Sequence, residues 1–365
     1  MRCVAPPSRR LSVQTSRLHH AFKTVGGDPR HAGAGAPQDS RRDAGATCAV
    51  FGGFPILNRL RRIMKKESKK LRSLATRYRV DHGGKFRLKD CDPGETAGLG
   101  KEFKNEAVAL LQHSTAQLTA LQDKLYAQDR WSLLLIFQGM DASGKDGTVK
   151  HVMSGVNPQG CQVHSFKAPS AEELDHDFLW RTSRALPQRG HIGIFNRSYY
   201  EEVLVVRVHP ELLAGQHLPE TCVSKDIWKE RFEDISSFER YAVRNGYAIR
   251  KFFLHMSKAE QKRRFLCRLE APEKNWKFSA ADARERGFWD EYQFAYEDMI
   301  RNTASKHAPW IVVPADNKWF SRLVVSSVVV HALEEMNLAY PVVTPEQQRA
   351  LAAARRELEG KGKGK

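Results

Sequence analysis

The chain has 365 residues, 41% of them hydrophobic and 9% aromatic, and a net charge of +17. That apolar content excludes a wholly disordered chain, and the charge excess favours polyanionic partners such as nucleic acid, anionic lipid or phosphate chains. No apolar stretch reaches the roughly 20 residues that span a bilayer, and the six scattered cysteines form no CxxC pair or zinc spacing, which predicts reduced thiols in a cytoplasmic protein with no membrane partner.

In chain order, residues 1–63 are rich in Arg, Gly, Ala and Ser with little apolar periodicity, which predicts a disordered extension. Their Arg-rich, acid-poor character also fits a transit peptide, and a third reading is a start at Met64, which opens "MKKESKKLRSL". Phe103, Ala107, Leu110, Leu111, Leu118, Leu121 and Leu125 recur at spacings of three and four, predicting an amphipathic helix over 101–128. "WSLLLIF" reads as a strand buried on both faces, and "GTVKHVMSGV" starts a helix just behind the loop that follows it. A strand at "CQVHSF", a helix at "AEELDHDFLWRTSRAL" and a buried strand at "HIGIF" continue the alternation. Strands at "YAIRKFFLHM" and "PWIVVPA" flank a charged helical stretch over 258–302, and residues 341–365 read as a polar helix with a basic tail. This pattern predicts an α/β protein with a doubly wound parallel sheet.

Chemistry concentrates in "GMDASGKDG", between the first buried strand and its helix. Gly139 and Gly144 let the backbone curl so that the N–H groups of Ala142, Ser143, Gly144, Asp146 and Gly147 can gather phosphate, and Lys145 adds a point charge. A hydroxyl normally follows the lysine of such a loop, but this chain has Asp146 there and a second acid, Asp141, within it. Two carboxylates beside phosphate repel it unless a cation lies between, and magnesium joins carboxylates to substrate phosphates in this way. Asp141 could alternatively orient an attacking phosphate oxygen, and Asp146 could simply favour a helix start. At the end of "HIGIF", Asn196 stands where an acid often helps place magnesium. Arg197 can fork onto phosphate, and Glu201 or Glu202 could restore the missing carboxylate. "NRSYYEE" also reads as a helix start capped by Ser198. Arg264 and Arg268 share one helical face, and the break at "APEKNW" would let that helix act as a hinged basic lid.

The blocks "YRVD", "GMDASGKDG", "FKAPS", "DFLWR", "FNRSYYEEVLVVRVHPE", "RFLCRLEAPEKNWKFS" and "APWIVVPADNKW", in that order, resemble the polyphosphate kinase 2 family. The resemblance implies a catalytic domain over about 66–340. Its fold would be a P-loop kinase-like three-layer sandwich, a parallel five-stranded sheet between helices, with a helical lid over about 258–302. It implies reversible, magnesium-dependent transfer of a terminal phosphoryl group between inorganic polyphosphate and the nucleotides AMP, ADP and ATP. Asp141 would place magnesium and activate the acceptor phosphate, with Asn196 and Glu201 as further metal ligands. Lys145 would hold phosphate, Arg197 would clamp the group in transit, and Arg264, Arg268, Lys274 and Lys277 would line the polyphosphate path. Lys167, Arg181 and Asn196 would bind nucleotide. Many family members carry Asp where this chain has Asn196, although "FNRSYYE" resembles the subgroup that phosphorylates both mono- and diphosphates. An ATP-dependent nucleoside monophosphate kinase and a non-enzymatic polyanion binder are the alternatives. No zinc module, helix-turn-helix or ribonucleoprotein motif points to specific nucleic acid. Helices near Phe103 and Phe288 could build a homo-oligomer.

Overall fold

The computed structural model describes residues 71–100 and 103–360. The expectations for residues 1–63 and for the basic end of the tail fall outside the described residues. Six strands form one sheet: β1 (Arg79–Val80), β2 (Ser132–Gln138), β3 (Cys161–Ser165), β4 (Ile192–Asn196), β5 (Tyr247–His255) and β6 (Trp310–Pro314), in the spatial order β1-β6-β5-β2-β4-β3. β2 to β6 run parallel, as the buried apolar runs predict. The addition is β1, a two-residue antiparallel strand from "YRVD" that pairs with β6.

All seven residues of β2 are buried because it lies between β4 and β5, with Leu135 opposite both Ile194 and Arg250. Helix α1 (Lys104–Gln128) has the predicted spacing, buries Ala107, Leu110, Leu118 and Leu125, and packs against the C-terminal helix of the sheet domain. Helix α2 (Lys145–Val152) follows the phosphate loop, α3 (Ile227–Arg244) precedes β5 and α4 (Lys258–Leu269) follows it. Helices α5 (Trp289–Thr303) and α6 (Lys318–Glu335) flank β6. Alternation along β5 separates the layers: Lys251 reaches Glu239 of α3 and Phe253 stacks on Tyr296 of α5, whereas Arg250, which points to the opposite face, pairs with Glu335 of α6. The sheet is therefore sandwiched between helices, a P-loop kinase-like arrangement.

Two predicted helices are broken. "AEELDHDFLWRTSRAL" forms turns at Ala171–Leu174 and Trp180–Arg184 because Ser170 caps the first and the Asp177 carboxylate takes the N–H of Leu179 between them. The stretch over 258–302 divides at Pro272 into α4, a 3-10 turn at Pro272–Lys277, a short helix at Ala280–Glu285 and α5. Helix α7 (Pro345–Gly360) matches the predicted polar tail helix and buries none of its residues. Among the described residues, no helix is long and apolar enough to cross a membrane.

Candidate active site

The carboxyl ends of β2, β4 and β5 meet where the strand order reverses, the position at which open α/β sheets collect ligands. The loop after β2 needs its glycines. Gly139 has φ +151, and a Cβ there would lie 2.9 Å from the Leu254 carbonyl oxygen and from Ser143 Oγ. Ala142 and Gly144 also have positive φ, which turns the loop inward before α2. Lys145 is buried, with Nζ donating to the Gly139 carbonyl at 2.6 Å. Burial, reinforced by Arg197, lowers its pKa to about 8.

The end of β4 brings its residues to the same place. Arg197 has φ +64, and its N–H donates to the Phe137 carbonyl of β2. Its guanidinium donates to Asp141 at 2.8 Å and to Glu201 at 3.3 Å. Glu201, and less strongly Asp141, hold the Arg197 proton more tightly than usual. With its amide turned so that both ends are satisfied, Gln138 donates to Glu201 at 2.8 Å and accepts from Ser198. The turn Tyr199–Val203 is capped by Ser198, whose Oγ accepts from the Tyr200 N–H, as the capping reading of "NRSYYEE" expects.

Asn196 donates through Nδ2 to the Asp146 carboxylate, and its Oδ1 is buried without a protein partner, as is Ser143 Oγ. Asp146 thus stands beside the residue that replaces the usual strand-end acid. Among the described residues no three His, Cys, Asp or Glu side chains group as a metal cluster. The donor set here is instead a few hard oxygens beside a phosphate loop, which fits a magnesium ion that completes its shell with water and phosphate.

Two cavities meet at this point. One, of about 590 Å³, is lined by the loop and by Arg263, Arg264, Arg268, Lys318 and Arg322, with Asp146 and Trp276. Burial and then the neighbouring Arg264 lower the pKa of Lys318, one sign of how densely positive this wall is. The other, of about 120 Å³, is lined by Glu201, Glu285, Gln261, Tyr292 and Tyr296. Asp141, Arg197 and Asp282 line both.

Arg264 departs from its expected part in the lid. Its five N–H groups face Glu260 and the carbonyl oxygens of Ala142, Ser143, Ala315 and Asp316, so the side chain braces the loop rather than offering free donors to phosphate. Arg268 lines the larger cavity 4.0 Å from Asp282. The backbones of Lys274 and Lys277 lie in the turn that follows, and their side chains are outside the described set. Lys167 and Arg181 are not brought to the loop. Arg181 donates to the Lys167 carbonyl at 2.8 Å, lies over Phe166 and lines a separate cavity of about 40 Å³. Phe103, one expected oligomer contact, packs on Trp319, while Phe288 is 38% exposed. Sequence reasoning missed Lys318 and Arg322, although their spacing of four in "NKWFSR" at a helix start was the available signal.

The family description Polyphosphate kinase 2 (PPK2) matches residues 101–341. An ADP-polyphosphate phosphotransferase of Rhodopseudomonas palustris is 51% identical over 275 residues, spanning 73% of this chain and 95% of that protein. An AMP/ADP-polyphosphate phosphotransferase of Meiothermus ruber is 43% identical over 267 residues, again spanning 73% and 95%. The crystal structure of Polyphosphate Kinase 2 from Arthrobacter aurescens TC1 superposes with a TM-score of 0.69 at 39% identity, covering 77% of this chain and 96% of that one. Matches of this extent, together with a phosphate loop at the carboxyl edge of a parallel sheet, place the chain in the polyphosphate kinase 2 family.

Proposed function

We propose that the protein transfers the terminal phosphoryl group of inorganic polyphosphate to a nucleotide, making ATP from ADP and ADP from AMP, and runs in reverse when ATP is abundant. The observation that carries this reading is the meeting of two cavities at Asp141 and Arg197. Transfer between two polyanions needs two approaches to one point, and cations that neutralise the equatorial oxygens in transit. The relatives named for ADP and for AMP/ADP support both acceptors.

The chain's own residues divide the work. The loop amides and Lys145 hold one phosphate, and Arg263, Arg268 and Lys318 line the approach of the phosphate chain. Arg197 is oriented by Asp141 and Glu201 and shifts its fork onto the group being transferred. Asp141 orients the attacking oxygen of the acceptor. Asp146 and Asn196 Oδ1, with Asp141, would hold a magnesium ion, and Glu201, committed to Arg197 and Gln138, acts instead through the arginine. Bound magnesium supplies charge neutralisation between the two phosphate groups.

The exposed rings of Phe294 and Phe288 offer a face for a second copy of the chain, and the free thiols suit a cytoplasmic setting. The deciding experiment supplies purified protein, magnesium and long-chain polyphosphate with AMP or ADP in separate reactions. ATP from ADP, and ADP followed by ATP from AMP, is the expected result. Phosphorylation of AMP only when ATP replaces polyphosphate would favour the nucleoside monophosphate kinase, and polyphosphate binding without turnover would leave a polyanion binder.

A further inference from the structure

Beneath the site lies a charged group that the transfer itself does not use. Lys251, on β5, and Glu239, on α3, are 0% and 1% exposed and pair at 2.6 Å. Glu239 also accepts the hydroxyls of Tyr199 at 2.9 Å and Tyr200 at 2.7 Å. Lys251 places its remaining donors on the Tyr200 oxygen at 3.0 Å and the Thr303 carbonyl at 2.8 Å. Every ammonium proton thus has an acceptor. Burial holds both phenols well above their ordinary pKa, so they remain donors.

Such a pair is a poor source of stability, because desolvating two charges offsets most of their attraction; what it contributes is conformational definition. What it defines is the turn that starts at Arg197. A non-glycine residue at φ +64 is strained and persists only where its surroundings over-determine it. Upstream, the Arg197 N–H is tied to Phe137 of β2. Downstream, Tyr199 and Tyr200 are hooked onto the Glu239 carboxylate, which Lys251 of β5 fixes while donating also to the Thr303 carbonyl of α5.

We infer that Glu239 and Lys251, through Tyr199 and Tyr200, are positioning residues that set the guanidinium of Arg197 for phosphoryl transfer. This rests on reading Arg197 as the clamp on the transferred group. Removing the two phenol hydroxyls leaves the ion pair in place but releases the turn, so the effect falls on kcat rather than on the binding of either substrate.

The test is a double-mutant cycle on the full chain. It combines Tyr199→Phe plus Tyr200→Phe with Arg197→Lys, which keeps a positive charge and measurable turnover but loses the fork. With Arg197 present, the phenylalanine pair is expected to lower kcat about tenfold, with KM for polyphosphate and ADP within about twofold. In the Arg197→Lys background the same pair is expected to change kcat by about twofold or less. Equal losses in both backgrounds, or an unchanged kcat in the parent, would overturn the inference. Should the pair unfold the protein, Tyr199→Phe alone, which removes one hydroxyl and leaves the Tyr200 and Lys251 contacts, completes the same cycle. An inactive wild-type protein would sink the transfer reading itself, which keeps the two failures distinct.

Discussion

Arg264 Nη1 lies 2.9 Å from the carbonyl oxygen of Ala142, so a residue of helix α4 holds the left-handed position of the phosphate loop from behind. The next arginine on that helical face, Arg268, is a quarter exposed and borders the basic cavity. Two residues alike in sequence therefore do different work. Arg264→Lys, which cannot serve five acceptors at once, should destabilise the fold by about 3 kcal/mol. Arg268→Ala should change stability by less than about 1 kcal/mol yet raise KM for polyphosphate about tenfold, an effect that shrinks as salt is added. Urea unfolding beside kinetics at two ionic strengths separates the two.

Lys145 carries a pH signature. Its folded pKa of about 8 lies below the ordinary 10.5 because burial disfavours the charge, so the free protein loses this proton as pH rises through 8. Bound phosphate favours the charged form and moves the titration upward. The ratio kcat/KM for polyphosphate should fall above pH 8, while kcat holds to higher pH. For stability the sign is opposite: between pH 8 and 10.5 the unfolded chain binds more of this proton, so this group's contribution to stability rises with pH there. A pH series of initial rates and melting temperatures in phosphate-free buffer checks both.

Asn196→Asp would set a carboxylate where Nδ2 now donates to Asp146. Without divalent cation the variant should lose about 1–2 kcal/mol through the lost hydrogen bond and like-charge repulsion. Magnesium should restore most of that loss, and half-maximal activity should need less magnesium than in the parent. Melting curves with magnesium and with chelator, beside a magnesium titration of activity, decide it; a variant indifferent to the metal would place the ion elsewhere.

Gly139→Ala should cost about 2 kcal/mol, since the added methyl group meets the Leu254 carbonyl at 2.9 Å in a backbone conformation that L-residues rarely adopt. A lower urea midpoint at unchanged slope, with weaker phosphate protection against unfolding, is the expected observation.

The parallel strands and the phosphate loop were legible because β2, β4, β5 and β6 are short apolar runs bounded by turn residues, and because "GMDASGKDG" joins a strand to a helix. Periodicity also found α1. It failed over 171–186, where an aspartate side chain competes for backbone N–H groups and divides one helix into two turns. It could not assign Arg264 either. Whether an arginine turns toward phosphate or toward carbonyl oxygens depends on segments 51 and 122 residues away, which no local spacing encodes. Lys251 was visible, beside Arg250, as one of two adjacent charges in an otherwise apolar strand, but its partner Glu239 lies on a different element and surfaces only once α3 packs on β5.

The brace also orders events in time. Ala142 waits for Arg264, 122 residues further along, and Arg264 in turn waits for the carbonyl of Ala315. At about 5–20 residues per second, a ribosome needs on the order of ten seconds or more after completing the loop to deliver the last of these partners. A nascent chain released before Arg264 would carry the whole loop sequence and lack the side chain that braces it.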